Sequence, residues 1–332
     1  MSLRKPKPKA KNQSLIPFLL PASKQSNSPL QKVREFVEEQ KLFTNWNTTE
    51  HDGWKFPATD EPHCWCGMWK TLGCPKDKEH ERLGYGYRVY VKQFQESCYR
   101  GVCTTCYPKW IARGANKATR RIEKYVKQNP GEKPIHLFFS PPKWMHNIPV
   151  DKLREEVKQI LKKAMIKGGA LLFHPFRRKK EKWIWSPHYH LVGFGSSRNI
   201  KNAFGWKKWY VGNEGERKSV FQTFCYLLSK CGIKKRNHAL SWLGDLSYSK
   251  LPGDKIETLT HCPACGRKLI PIYYDGIHPV VPPDRNYEGM VDSDGRWYPV
   301  NTEPEPQISE YRFDYAPTRD LDETLKGLAM AN

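Results

Sequence analysis

Two groupings in this sequence have the residue types and spacing for phosphodiester chemistry. The first is the H-x-H step of Ser186-Pro187-His188-Tyr189-His190-Leu191, inside an apolar run. On a β-strand, alternation sends His188 and His190 to one face and Tyr189 to the other, with the two imidazoles about 7 Å apart at Cα. Such a pair can share a divalent metal or a phosphate. The second grouping is Tyr226 with Lys230 one turn later, in a stretch beginning at Ser219. At about 100° per residue, Val220, Phe221, Phe224, Leu227, Leu228 and Cys231 share one arc of a helix. Gln222, Tyr226 and Lys230 lie on the opposite, polar arc. A cation one turn from a phenol favours its phenolate, the nucleophilic form.

The elements that must hold these groups can be read from the pattern around them. Stretches 170–177 and 183–194 predict two strands, and Arg177-Arg178-Lys179-Lys180 lies at the turn between them. A hairpin centred on Glu181 sets His174 opposite His188, placing a third imidazole on the same sheet face. Three convergent histidines would suit Mn²⁺ or Mg²⁺ with positions left for phosphate oxygens, and all-imidazole sites also suit Zn²⁺. Upstream, Ile135-His136-Leu137-Phe138-Phe139-Ser140 predicts a strand and 150–167 an amphipathic helix. Stretch 217–231 is the tyrosine helix. The order β-α-β-β-α predicts an α+β, ferredoxin-like antiparallel sheet with helices on one face.

The ten cysteines cluster. Cys103/Cys106 and Cys262/Cys265 have C-x-x-C spacing, which in an intracellular chain favours zinc over disulfides. Cys98, five residues before Cys103, joins His63, Cys64, Cys66, Cys74 and His80 as candidate donors, enough for one full zinc site or two, with their partition open. Cys262-x-x-Cys265-Gly266 is a knuckle that needs two further ligands, and Cys231 and His238, just after the tyrosine helix, are expected to supply them. Zinc here would be structural, organising a loop-rich region over 54–106.

Charge identifies the partner class. Of 56 Lys+Arg and 34 Asp+Glu in 332 residues, residues 107–238 hold thirty basic and eight acidic, equal to the whole +22 excess. A field of that sign points to a polyanion. On the expected helix 108–128, Arg113, Lys117, Arg120, Arg121 and Lys124 form a basic stripe opposite an apolar face. With Arg177, Arg178 and Gln222 they are the expected DNA contacts. Trp183, Trp185, Trp206 and Trp209 are candidate stacking surfaces for unpaired bases. Five units follow: a basic disordered arm (1–29), a helix plus Cys/His zinc region (30–106), a domain holding the histidines and Tyr226 (107–250), a C-terminal zinc knuckle with strands (251–300), and an acidic tail (301–332). No apolar run is long enough to span a membrane, and the short one at 15–20 is broken by Pro17, so a cytoplasmic protein is expected. No G-x-x-x-x-G-K-[ST] is present, so any unwinding would fall to a helicase partner.

Taken in order, the strand at 136–140, His188-Tyr189-His190 and Tyr226-x-x-x-Lys230 resemble the motif set of the HUH endonuclease superfamily. The downstream stretch 238–248 and the flanking Cys pairs look more specifically like the Rep proteins, rolling-circle replication initiators of archaeal plasmids and viruses. The three ordered motifs cover about a third of the chain. The resemblance implies nicking and rejoining of single-stranded DNA at an origin through a 5′-phosphotyrosine on Tyr226. It further implies a catalytic Mg²⁺ or Mn²⁺ held by His188, His190 and, as third ligand, His174, with Lys230 contacting phosphate or stabilising the phenolate. Host replication proteins would be partners. A transposase would share this chemistry, and a zinc-stabilised DNA-binding protein without catalysis would share the basic surface and the Cys pairs.

Overall fold

The computed structural model describes residues 29–41, 45–216, 219–253, 260–272 and 287–298. The acidic tail, and the basic arm up to Pro29, lie outside them. The elements run α1 (Pro29–Lys41), β1 (Glu50–His51), β2 (Trp54–Lys55), β3 (Trp69–Cys74), α2 (Asp77–Arg82), β4 (Val89–Gln95), α3 (Tyr107–Gln128), β5 (Ile135–Ser140), α4 (Val150–Lys163), β6 (Gly168–Lys179) and β7 (Lys182–Phe194). Then follow α5 (Ser197–Gly205), β8 (Tyr210–Glu216), α6 (Val220–Lys230), β9 (Leu240–Gly244), β10 (Ile270–Pro271), β11 (Tyr287–Val291) and β12 (Trp297–Tyr298). The chain is mixed α and β with antiparallel sheets. No helix among the described residues is long and apolar enough to cross a membrane.

The central sheet has the order β8-β5-β7-β6-β9, every neighbouring pair antiparallel. Its spine is the β6–β7 hairpin, in which His174 pairs with His188 as expected. Between that pair and the turn the register differs by one from symmetry about Glu181, so that Phe176 faces Trp185. Pro175 alone on β6 stands opposite Ser186 and Pro187 on β7. Proline has no N–H for the ladder, and a bulge is where a strand tolerates it. At the other end the strands approach very closely: a Cβ on Gly193 would meet the Gly168 carbonyl oxygen at 2.4 Å.

Both faces of this sheet are covered. On one, Leu137, Phe139, Leu171, Phe173, Tyr189 and Leu191 pack against α4 and α5. On the other, Ala170, Leu172, Val192 and Phe194 pack against α1, α3 and α6. This corrects the expectation of helices on one face alone: β6 and β7 carry near-continuous apolar runs, the mark of strands buried on both sides. Helix α5 and strand β8 also lie beyond the expected β-α-β-β-α order. Nine residues long, α5 buries only Ile200 and Phe204, and is started by Ser196, whose hydroxyl accepts from the Asn199 N–H at 3.3 Å.

A second antiparallel sheet, β10-β3-β4-β11-β12, joins strands from both cysteine-bearing segments. The stretches 30–106 and 251–300 therefore meet in one sheet, around a small core of Cys74, Tyr90, Cys262, Leu269 and Met290.

Candidate metal and nucleophile centre

His174, His188 and His190 project from β6 and β7 toward α6, and one ring nitrogen from each lies within 4.8 Å of the others. All three rings are buried. Two have their outward nitrogen fixed by the backbone. His174 Nε2 donates to the Leu227 carbonyl at 2.9 Å, and His188 Nδ1 donates to the Ser186 carbonyl at 2.8 Å. In a neutral ring this leaves Nδ1 of His174 and Nε2 of His188 bare. The third, His190, has its Nδ1 2.8 Å from Nε2 of His136 on β5.

Burial keeps these imidazoles neutral. It pulls His174 down to about 3 against the hydrogen bond to Leu227, and the charges of Lys230 and Arg177 act in the same direction as burial. His188 and His190 are held well below the ordinary histidine range, first by burial and then by neighbouring histidines and Arg177. A neutral imidazole with one bare nitrogen is the form that ligates a metal. The donor set therefore fits a divalent cation, and imidazoles suit Mn²⁺ or Zn²⁺ better than Mg²⁺, which prefers oxygen ligands.

The Leu227 carbonyl links the histidines to the nucleophile helix, because Leu227 follows Tyr226 directly. Helix α6 starts at Ser219, whose hydroxyl accepts from the Gln222 N–H at 3.4 Å. The Tyr226 ring is half-buried, 6.2 Å from Phe36 of α1, with the Lys230 ammonium 4.7 Å from its centroid. That geometry is a cation–π contact. The polar arc is covered: Gln222, Thr223, Ser229 and Lys230 are all buried. The Phe36 ring, 5.9 Å from the Lys230 nitrogen, shows that α1 reaches this arc. Burial lowers Lys230 to about 8, with Arg178 adding repulsion. Gln222 has neither its amide nitrogen nor its amide oxygen hydrogen-bonded among the described residues.

Arg177 stands beside the histidines. Its Nη2 donates to Ser140 Oγ, its guanidinium lies 5.8 Å from the Phe138 ring, and partial burial lowers its pKa. Arg178 is exposed. Of the α3 stripe, Lys117 is exposed and Arg113, Arg120 and Lys124 half-buried. Arg121 is not a surface contact. It is buried, donates from Nε to the Leu246 carbonyl at 2.7 Å and from Nη2 to the Leu251 carbonyl, and lies over the Trp242 and Tyr248 rings. It ties down the 245–252 loop instead of facing DNA. Of the four candidate stacking tryptophans, Trp183 and Trp209 are core residues and Trp185 donates to the His146 carbonyl at 2.8 Å, leaving Trp206 exposed.

Two further clusters have zinc-ligand chemistry. Cys66, Cys98, Cys103 and Cys106 converge between the β3–β4 hairpin and the start of α3. Cys74, His80, Cys262 and Cys265 form the other. In the latter, Cys74 Sγ lies 3.5 Å from Cys265 Sγ, and His80 Nε2 lies 3.3 and 3.4 Å from the sulfurs of Cys265 and Cys262. His80 Nδ1 donates to the Arg88 carbonyl at 2.7 Å, which leaves Nε2 as its ligand atom. A group of four cysteines, and one of three cysteines with a histidine, can each hold a structural zinc. Cys231 and His238, expected to complete the knuckle, belong to neither cluster. Cys231 is buried in the main core with its thiol donating to the Leu228 carbonyl at 3.3 Å. The knuckle's partners come instead from β3 and α2, brought to it by the pairing of β10 with β3. His136 was not anticipated as part of the site. Only the pairing of Phe138 with His190, which sets β5 beside β7, places it there.

No known protein family, no curated protein and no solved structure matches the chain.

Proposed function

We propose that the chain is a metal-dependent endonuclease and strand transferase acting on single-stranded DNA, with Tyr226 as nucleophile, and that it initiates rolling-circle replication. The observation that carries this reading is the hydrogen bond from His174 to the Leu227 carbonyl, which fastens the tyrosine helix to a buried cluster of three neutral histidines. The run β5-α4-β6-β7-α5-β8 with the order β8-β5-β7-β6 supports a ferredoxin-like sheet of the HUH type, since it interleaves two β-α-β halves antiparallel. The concentration of positive charge in residues 107–238 supports a nucleic-acid substrate.

In the proposed reaction the Tyr226 oxygen attacks the scissile phosphorus while the bond to the 3′-oxygen breaks. The products are a 5′-phosphotyrosine and a free 3′-OH. The phenolic proton leaves to solvent, with the Lys230 ammonium beside the ring favouring the phenolate, and the departing 3′-oxygen takes a proton from solvent. Attack by a 3′-OH on the phosphotyrosine reverses these steps and rejoins strands. Bound at His174, His188 and His190, Mn²⁺ or Mg²⁺ would polarise the phosphate and offset its developing charge. Arg177, beside the histidines, and the exposed Arg178 and Lys117 would draw the strand in. Unwinding would come from a helicase in the host cytoplasm.

The test is a denaturing-gel shift with labelled single-stranded oligonucleotides and Mn²⁺. Wild type should form a covalent adduct and Tyr226→Phe none. An adduct that survives in Tyr226→Phe would move the nucleophile elsewhere. Tight binding with no adduct from wild type, across many candidate origins, would make the chain a binding module.

A further inference from the structure

The three histidines differ in what holds their outward nitrogens. For His174 and His188 it is a backbone carbonyl, which can only accept, so each ring's tautomer is decided by the fold. For His190 it is a fourth imidazole, Nε2 of His136, at 2.8 Å. One hydrogen lies between these two nitrogens, and the side on which it sits decides whether His190 can bind metal. If His136 Nε2 carries it, a neutral His190 holds its own proton on Nε2 and that nitrogen is no longer a ligand. With the hydrogen on His190 Nδ1, Nε2 of His190 is bare. Both rings are buried, on adjacent strands, with centroids 5.1 Å apart, so neither can turn to water for an alternative partner.

We propose that His136 is a positioning residue for a metal centre at His174, His188 and His190: it accepts the Nδ1 hydrogen of His190 and so holds His190 in the metal-binding tautomer. This inference rests on the reading of the triad as a cation site. It gives His136 a role that its position in a short apolar strand does not suggest, and it extends the site to β5. Strand pairing supplies the geometry. Phe138 lies opposite His190, and alternation turns His136 toward the same face two residues away. Loss of such an outer partner typically costs about 10- to 100-fold in metal affinity.

The experiment is Mn²⁺ titration of the full chain, followed by calorimetry and by the spin-resonance signal of free Mn²⁺, with thermal unfolding measured in parallel. His188→Ala should abolish binding in wild-type background and so locate it at the triad. His136→Leu should weaken Mn²⁺ by about 10- to 100-fold, whereas His136→Gln, whose amide oxygen can accept the same hydrogen, should stay within about threefold of wild type. Equal affinity in the Leu variant would overturn the assignment, as would equal weakening in both variants, which is the mark of a packing role. Should the Leu variant not fold, a histidine-selective ¹⁵N spectrum of wild type decides. Metal-loaded His190 must show a proton on Nδ1, and a proton on Nε2 refutes the inference. No Mn²⁺ binding by wild type at all would instead remove the metal reading itself, and with it the role of His136.

Discussion

Cys74→Ser should release one zinc equivalent from the protein and unfasten the segment 260–272, while Cys231→Ser should release none. The size of the effect follows from what else could hold that segment. Of the core at the second sheet, Tyr90, Leu269 and Met290 are its buried non-cysteine side chains. At about 1.5–3 kcal/mol for each fully buried side chain, they supply roughly 5–9 kcal/mol. Ordering the thirteen backbone residues 260–272 costs about 1–2 kcal/mol each, roughly 13–26 kcal/mol in all. Burial alone falls short. A structural zinc contributes about 10–16 kcal/mol, and with it the two sides come within a few kcal/mol of balance. Losing a thiolate from a four-ligand site should therefore free the knuckle rather than merely loosen it. Zinc content of purified variants, measured by elemental analysis, together with limited proteolysis between β9 and β11, reads both effects. Retention of the wild-type zinc content by Cys74→Ser, or loss of one equivalent from Cys231→Ser, would refute the assignment of ligands.

Two further outcomes follow from buried charges. Arg121→Met should lower stability by about 3 kcal/mol, because it leaves the carbonyls of Leu246 and Leu251 without their donor. It should not change the salt dependence of DNA binding, whereas Lys117→Ala should reduce that slope by about one; a slope change in Arg121→Met would return that residue to the DNA surface. Lys230, lowered by burial from 10.5 to about 8, binds its proton less tightly folded than unfolded. Stability contributed at this position therefore rises with pH between those values, and below pH 8 the buried ammonium costs its full amount, about 3 kcal/mol. Lys230→Met should accordingly be more stable than wild type at pH 7, with a gain that shrinks toward pH 10.5, and a pH-independent difference in urea unfolding would refute it.

How much of this was legible in the sequence depended on how far apart the partners lie. The pairing of His174 with His188 is expected from a turn centred on Glu181, yet the strands leave the turn one residue out of that register, with Phe176 opposite Trp185, and the bulge at Pro175, between the turn and the histidines, is what brings the two histidines opposite each other. The zinc knuckle could not be completed in the same way. Cys74 and Cys265 are 191 residues apart, and no local pattern predicts that β10 will pair with β3. Cys231 and His238 stand far nearer the knuckle in sequence than Cys74 and His80 do, while an apolar arc that also contains Leu227 and Leu228 marks Cys231 as core. Arg121 failed for a related reason. A helical wheel shows which residues share a face, but the cover over that face is the irregular 245–252 loop, which has no periodicity to read. The cover over the polar arc of α6 is likewise remote, since α1 lies almost two hundred residues upstream of it.

The candidate metal clusters and Tyr226, the proposed nucleophile, are parts of one packed unit. Cys103 and Cys106 close the four-cysteine site at the start of α3, where the helix dipole favours thiolates. From there α3 runs against α6 so closely that a Cβ at Gly114 would meet Leu228 Cδ1 at 2.9 Å. Leu228 follows Leu227, whose carbonyl receives the His174 hydrogen bond, and Leu227 follows Tyr226. Each step is a chain neighbour or a close packing contact, so displacing the start of α3 must displace α6 or open the core between them. Tyr226 can meet a phosphate held at the histidines only if α6 keeps its place on the sheet. On this view the cysteines outside the central sheet would be needed for the proposed chemistry without touching the substrate.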